Sequence, residues 1–104
     1  MENFRNVDVD KLANIYFGGK VISRNIFLKD GSRKTLGVML VGEYEFDTIS
    51  RELMEIISGK LILTLKGQEK KIILGGMNFN VPKNSSFKLE VLEIVNYTCS
   101  YFID

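Results

Sequence analysis

Short runs of β-branched and aromatic residues, each ended by a turn signal, recur along most of the chain. The run at residues 19–28 is followed by the hairpin signal "KDGS" (29–32). The run at residues 77–81 ends at Pro82, which cannot donate a hydrogen bond to a sheet. Turn signals about eight to twelve residues apart, without a sustained helical period, are typical of all-β sandwiches and barrels. The pattern therefore predicts an all-β fold.

The same pattern gives the expected strands and the domain organisation. Residues 33–46 can form one long strand, or two strands that meet at Gly42, a natural site for a bend or bulge. The other expected strands cover residues 19–28, 52–57, 61–65, 70–74, 77–81, 87–92 and 95–102. Residues 5–15 could form a short helix or an arm packed on a neighbour. We expect one domain at residues 16–104, preceded by an extension or arm at residues 1–15.

Length and charge restrict the class of protein. The 104 residues suffice for one compact domain, and a hydrophobic fraction of 45% supports a real core. Fourteen basic and thirteen acidic residues give a net charge of +1, so no strong field would recruit nucleic acid or an anionic membrane. No apolar run approaches the roughly twenty residues that a bilayer crossing requires. We expect neither nucleic-acid nor membrane partners.

Histidine and cysteine usage limits the available chemistry. The chain has no histidine, which excludes Ser-His-Asp, Cys-His and histidine–metal chemistry. Cys99 is the only cysteine, so an internal disulfide is excluded and a reducing, cytoplasmic setting is expected. Because no histidine is present to activate its thiol, Cys99 is predicted to be a small buried residue.

The stretch "LVGEYEFD" (40–47) places two carboxylates close together. Glu43 and Glu45 are two positions apart, which on a strand puts both side chains on one face. If the strand is unbroken from Arg33, then Arg33 and Thr35 share that face with Glu43. Burying like charges side by side is unfavourable, so a functional role would explain the pair. The alternative is that one glutamate faces solvent beyond a bulge at Gly42 and the other pairs with a lysine.

Two sets of residues have the spacing of the two signature motifs of the cupin superfamily. The first set is Gly37, Glu43, Glu45, Glu52 and Gly59, and the second is Gly76, Pro82, Asn84 and Phe87. The chain thus resembles a cupin whose metal-binding histidines are replaced by two glutamates and a phenylalanine. The resemblance implies a single-domain small β-barrel or jelly roll. It also implies that Glu43 and Glu45 point into the pocket of the barrel.

A closer resemblance is to the pyrimidine/purine nucleoside phosphorylase family of small cupins. It rests on "YFGGKV" (16–21), "LGVMLVGEYEF" (36–46), "ELMEIISGKL" (52–61), "FNVPKNSSFKLEV" (79–91) and "YTCSYF" (97–102). The resemblance implies a broad-specificity pentosyltransferase that converts a purine or pyrimidine nucleoside and phosphate to a free base and a pentose 1-phosphate. It further implies a cytoplasmic homodimer that acts on these small molecules without a metal or other cofactor.

Phosphorolysis requires groups that stabilise a cationic sugar and groups that bind phosphate. Glu43 and Glu45 are the predicted catalytic residues, because a carboxylate can hold ribose hydroxyls, favour oxocarbenium character or lend a proton to the base. Arg33 and Thr35 are the predicted phosphate ligands, since a guanidinium fork matches phosphate oxygens and a hydroxyl adds a donor. An ordinary charged residue after a hairpin turn is the other interpretation of Arg33.

The remaining predicted binding residues lie in and after the loop at residues 83–86. Phe87 would offer a ring on which purines and pyrimidines can both stack. Asn84 and Ser85 could meet an anion, because backbone donors in such loops bind oxyanions. Each has an ordinary structural alternative, which is a core aromatic for Phe87 and a solvated turn for the loop. Met54 and Phe79 are expected in the core.

Two other functions remain open at the level of sequence. The first is a non-catalytic cupin whose pocket holds a nucleoside or sugar without turning it over. The second is a metal cupin in which Glu43, Glu45 and Glu52 form an all-oxygen site for Mn or a similar hard ion.

Overall fold

The computed structural model describes residues 2–103, which form nine strands and a 3₁₀ turn at Phe17–Gly19. The strands are β1 (Asp8–Val9), β2 (Asn14–Tyr16), β3 (Val21–Phe27), β4 (Arg33–Met39), β5 (Gly42–Asp47), β6 (Arg51–Leu65), β7 (Lys71–Leu74), β8 (Asn78–Val81) and β9 (Ser86–Phe102). The all-β prediction is confirmed. The helix considered for residues 5–15 is wrong, because this segment supplies β1 and part of β2, both paired with β3.

The long strands β6 and β9 organise a single antiparallel sheet. The order is β1-β3-β4-β9-β6-β7, with β2 also paired to β3, β5 to β9 and β8 to β6. The C-terminal half of β9 pairs with β4 and its N-terminal half with β5, while β6 pairs with β8 at one end and β7 at the other. The sheet folds into a first layer, which contains β3, β4 and β8, and a second layer, which contains β5 and β7. It is not closed.

The layers are joined where β6 passes from one to the other, and Gly59 allows this passage. The register between β6 and β9 shifts three times between Ile56 and Leu61. Gly59 has φ +103°, and a Cβ atom there would lie 2.3 Å from the carbonyl oxygen of Ile94. The sequence predicted strand ends on both sides of "SGK" (58–60). The structure instead has one continuous strand, because pairing with β9 continues across the bulges.

The two layers enclose one hydrophobic core. It contains Val21, Met39, Tyr44, Met54, Ile56, Leu61, Leu63, Ile73, Phe79, Val81, Phe87, Leu89, Val91, Val95, Tyr97 and Cys99. Burial of each large aliphatic or aromatic side chain stabilises the fold by roughly 1.5–3 kcal/mol, so these contacts hold the layers together. The core positions expected for Met54 and Phe79 are confirmed. Within residues 2–103, no helix has the length and apolar character needed to cross a membrane.

The segment at residues 33–46 is two strands, and Tyr44 defines where they separate. β4 ends at Met39, and the hydroxyl of Tyr44 donates a hydrogen bond to the Leu40 carbonyl oxygen at 2.6 Å. A Cβ atom on Gly42 would lie 2.9 Å from that hydroxyl, so glycine leaves room for the ring to fold back. The break resets the alternation of side chains along the chain.

This break decides which side chains of β5 face the core. Tyr44 is buried and Phe46 packs against the core, whereas Glu43 and Glu45 are exposed on the outer face. The expectation that both glutamates point into the barrel is therefore wrong. Burying two aromatic rings lowers the free energy of the folded state, whereas burying two adjacent carboxylates raises it. The strand therefore takes the register in which the rings face the core and the carboxylates face solvent.

Candidate functional site

A band of polar side chains crosses the inner face of the first layer. Its members alternate with outward residues on four neighbouring strands and pair across them, for example Thr35 with Asn25 and with Cys99. We call this band, together with Asn14 of β2, the polar belt. It comprises Asn14, Ser23, Asn25, Arg33, Thr35, Glu52, Tyr97, Cys99 and Tyr101. A polar band on the core-facing side of a sheet must form hydrogen bonds or serve a ligand.

Asn25 is the hub of the hydrogen bonds at one side of the polar belt. Its Nδ2 donates to Asp10 Oδ2 at 3.0 Å. Its Oδ1 accepts from Arg33 Nη1 at 3.2 Å and from Asn14 Nδ2 at 3.1 Å. Asn14 Nδ2 also lies 3.3 Å from the Ser23 hydroxyl. These bonds connect the segment that precedes β3 to the guanidinium of Arg33.

Arg33 and Thr35 lie side by side on the inner face of β4, as their spacing predicts. The Arg33 guanidinium is 4.0 Å from the centre of the Tyr101 ring, a cation–π contact. The Tyr101 and Thr35 hydroxyls are hydrogen bonded at 3.1 Å. Arg33 is exposed, and its planar group has five donors, more than the bond to Asn25 uses. An exposed cation is thus held next to a pair of hydroxyls, one of which belongs to the buried Thr35.

Glu52 is the carboxylate of the polar belt. Burial raises its pKa, while the Cys99 thiol, which donates to Oε1 at 3.4 Å, and the charge of Arg33 act in the opposite direction. The sequence singled out Glu52 only as one of three hypothetical metal ligands. Glu52 pairs with Tyr101 of β9, on the inner face and within the electrostatic influence of Arg33. This position makes it a candidate for charge stabilisation or proton transfer.

The phenols and the thiol of the polar belt stay protonated near neutral pH. Burial raises the pKa of Tyr97 to about 12, and it also raises the pKa values of Tyr101 and Cys99. These groups therefore act as hydrogen-bond donors rather than as nucleophiles. Cys99 is 2% exposed, in agreement with the prediction of a small buried residue.

Aromatic rings from both layers lie next to the polar belt. Phe46 contacts Phe17 at 5.4 Å between ring centres, Tyr16 at 6.4 Å and Phe87 at 5.6 Å. The charge of Tyr16 acts on the pKa of Tyr97, which places these two phenols near each other. Phe87 is 3% exposed and stacked on Phe46, so the rings that a ligand can reach are Tyr16, Phe17 and Phe46.

Glu43 and Glu45 lie on the opposite face of the second layer from the core. They line an open groove of about 390 Å³ together with Tyr44, Ile62, Thr64, Lys70, Lys88, Leu89 and Glu90. Across the strands, Glu45 is opposite Lys88 and Glu43 is opposite Glu90. The triad Glu43, Glu45 and Glu52 is not assembled. Among residues 2–103, no group of three acidic or cysteine side chains could hold a metal ion.

The loop that contains Asn84 and Ser85 is tied to the end of β5 through Thr48, which directly follows that strand. The Ser85 amide donates to the Thr48 hydroxyl at 3.0 Å, and the Ser85 carbonyl accepts from the Thr48 amide at 2.8 Å. The Thr48 hydroxyl also donates to the Pro82 carbonyl at 2.6 Å. Asn84 is exposed with φ +51°. The loop has a structural function here, and anion binding by Asn84 and Ser85 stays a prediction.

Comparison with known proteins identifies the family. The family described as pyrimidine/purine nucleoside phosphorylase matches residues 11–101, which is most of the chain. The chain belongs to the pyrimidine/purine nucleoside phosphorylase family. A protein of that name from Geobacter sp. (strain M21) is 55% identical over 97% of this chain and 99% of its own length. Another from Clostridioides difficile (strain 630) is 50% identical over the full length of both chains.

Solved structures support the fold of this phosphorylase family member. A protein of unknown function from Acinetobacter sp. ADP1 superposes with a TM-score of 0.93 and 40% identity, covering 96% of this chain and 98% of its own. A cupin superfamily protein from Desulfitobacterium hafniense DCB-2 superposes with a TM-score of 0.68 and 16% identity, covering 81% and 78% of the two chains. The cupin fold predicted from the motif spacing is confirmed.

Several residues of the polar belt and of the neighbouring aromatic cluster were not predicted from the sequence. Asn25, Tyr97 and Tyr101 were not assigned roles, nor was Phe46. A signal was available for two of them, because Tyr97 and Tyr101 have the same strand parity as Cys99 and so share a face with it. No local signal marks Asn25, whose importance comes from contacts with distant parts of the chain.

Proposed function

We propose that this phosphorylase family member transfers the pentosyl group of purine and pyrimidine nucleosides to inorganic phosphate, giving a free base and a pentose 1-phosphate. The family membership supports a nucleoside phosphorylase. The observation that carries the proposal is that the polar belt contains an exposed guanidinium and a carboxylate with a raised pKa, while accessible aromatic rings lie at its other end. These three elements match the phosphate, the sugar and the base.

The charge of each group determines which part of the substrates it contacts in the proposed reaction. Phosphate binds to Arg33 and to the hydroxyl of Thr35, which fix an anionic nucleophile by charge-assisted hydrogen bonds. Glu52 faces the sugar, where its carboxylate accepts ribose hydroxyls and stabilises the positive charge that develops as the glycosidic bond breaks. Phosphate attacks C1′ and the base departs with the bonding electrons. The site contributes by positioning and electrostatics, and the proposal includes no cofactor.

Broad base specificity follows from the way in which the base would be held. The accessible rings of Tyr16 and Phe17 lie edge-on to Phe46, and Phe17 is tilted against Tyr44. In the proposal, the base stacks on the exposed faces of these rings. Stacking on an aromatic face does not discriminate between purines and pyrimidines, because no base edge is read. Phe87 supports this surface from behind, through its stacking on Phe46.

Product analysis tests the reaction. Purified protein incubated separately with inosine and with uridine should release hypoxanthine and uracil together with ribose 1-phosphate, and only when phosphate is present. Equal release of base without phosphate would mean hydrolysis. Saturable binding of nucleoside without release would favour the non-catalytic binding cupin.

Arg33→Ala is expected to raise the KM for phosphate by about tenfold or more, because the charge-assisted contacts to the anion are lost. The KM for nucleoside should change much less. Arg33→Lys is the matched control, since it keeps the charge without the planar fork and should give an intermediate KM for phosphate. A phosphate KM that is unchanged in Arg33→Ala would place the anion elsewhere, with Lys83 or the groove residue Lys88 as the next candidates.

We further propose a cytoplasmic homodimer that associates through the outer face of the first layer. Four large apolar side chains, Ile22, Leu36, Val38 and Ile94, are each at least 36% exposed on that face. Contiguous apolar surface of this kind usually marks an interface, and a second copy of the chain is the partner we propose. A monomer at micromolar concentration in sedimentation equilibrium would contradict the dimer.

A further inference from the structure

The segment before β2 is attached to β3 by several polar contacts. The Asp10 amide donates to the Asn25 carbonyl at 3.1 Å, and Asn25 Nδ2 donates to the Asp10 carboxylate at 3.0 Å. The Arg24 guanidinium donates to the Lys11 carbonyl oxygen. Two backbone-paired residues of β1 and three of β2 flank these contacts. The segment is therefore held against β3 at a defined register.

Asp10 determines which way the side-chain amide of Asn25 points. An amide has a donor end and an acceptor end, while an ionised carboxylate can only accept. Asp10 therefore requires Nδ2 of Asn25 on its own side, which leaves Oδ1 directed toward Arg33 and Asn14. If the amide were reversed, its NH₂ group would meet the Arg33 guanidinium, which can only donate. The carboxylate thus selects the one amide orientation that can accept from Arg33.

We propose that Asp10 is a positioning residue, which acts through Asn25 to hold the Arg33 guanidinium in the orientation that receives phosphate. The Tyr101 ring packs against the face of the Arg33 guanidinium, and Asn25 Oδ1 accepts a hydrogen bond at its edge. The two contacts together fix the orientation of the guanidinium plane. The N-terminal segment is then part of the phosphate site rather than an appendage. This inference rests on the proposed function, because it assigns a task to the phosphate-binding residue of that reaction.

The test compares three substitutions in steady-state kinetics with phosphate and nucleoside varied separately. Asp10→Ala is expected to raise the KM for phosphate about fivefold or more, while the KM for nucleoside and kcat stay within about twofold, because preorganisation of one ligand contact is lost. Asp10→Asn should restore the phosphate KM, since its amide oxygen can still accept from Asn25. Asp8→Ala is the matched control, as it removes the same charge from an exposed position two residues away.

A coupling measurement separates positioning from a general structural effect. Adding Asp10→Ala to Arg33→Ala should raise the phosphate KM no further if Asp10 acts through Arg33. Additive effects, or an equal rise in both KM values, would overturn the inference. If wild-type protein performs phosphorolysis and Asp10→Ala has an unchanged phosphate KM, the inference fails and the proposed function stands. If wild-type protein neither turns over nucleoside with phosphate nor gains thermal stability from phosphate, both fail.

Discussion

Glu52→Gln is expected to lower kcat by about 100-fold or more while the protein stays folded. The substitution is nearly isosteric, and the amide oxygen of glutamine can still accept from the Cys99 thiol. It removes only the negative charge that, in the proposed reaction, faces the positive charge developing on the sugar. Losses of this size are typical when one preorganised electrostatic group of an active site is removed.

Glu43→Gln and Glu45→Gln are the matched controls for this experiment. They make the same chemical change in the outer groove, which the layer of β5, β6 and β9 separates from the polar belt. Both are expected to keep kcat within about threefold, the range usual for changes away from a reacting centre. The opposite result, an active Glu52→Gln and an inactive Glu43→Gln, would return the catalytic role to the residues that the sequence favoured and place the reaction in the groove.

The pH dependence distinguishes the two tasks that Glu52 can perform. Burial raises its pKa above that of an ordinary carboxyl group. If the carboxylate stabilises the cationic sugar, kcat/KM falls as the pH drops through this raised pKa. If the protonated form donates to the leaving base, kcat/KM falls as the pH rises through it. We expect the acid-side fall, and this limb should disappear in Glu52→Gln.

The same pKa shift has a consequence for stability. A carboxyl group whose pKa is higher in the folded than in the unfolded protein stabilises the fold when protonated, and this contribution is lost as the pH rises through the folded pKa. At neutral pH the ionised Glu52 therefore opposes folding. Glu52→Gln should have a Tm at pH 7 equal to or above that of the wild type, and the difference should vanish in acid below the ordinary carboxyl pKa. A lower Tm at pH 7 would contradict this assignment of the desolvation cost.

Gly59→Ala is expected to cause the largest loss of stability, about 3 kcal/mol or more, from backbone strain and overlap combined. The added Cβ atom would lie 2.3 Å from the Ile94 carbonyl oxygen, and φ +103° is unfavourable for alanine in any case. Because the oxygen belongs to the β9 backbone, relief requires moving the strand that runs through both layers. Thermal unfolding should show a Tm lower by more than about 10 °C in a domain of this size.

Gly67→Ala separates the two causes of this loss. Gly67 also has a positive φ, +75°, but a Cβ atom there would have no neighbour within 4 Å. The control should therefore cost about 1 kcal/mol, which is the conformational penalty alone. If both substitutions lowered Tm equally, the close approach of β6 and β9 at Gly59 would not be the constraint that we describe.

Within an uninterrupted strand, the alternation of side chains between the two faces of the sheet was enough to predict which residues share a face. Arg33 and Thr35 share the inner face of β4, and Tyr97 and Cys99 share that of β9, because each pair lies on one regular strand. Prediction failed across Leu40 and Val41, where β4 ends and β5 begins after a change of register. Two residues without strand pairing were enough to reverse the faces of Glu43 and Glu45. Local sequence could not reveal this, since both arrangements satisfy strand propensity.

The sequence by itself determined the all-β fold class and excluded histidine chemistry, because turn signals and composition act locally or additively along the chain. The tertiary structure alone decided that Glu52 rather than Glu43 lies on the same inner face as Arg33, and that Asp10 reaches Asn25. Both outcomes depend on which aromatic rings fill the core and on pairing between strands distant in sequence. Those are collective packing energies, which no short stretch of the chain contains.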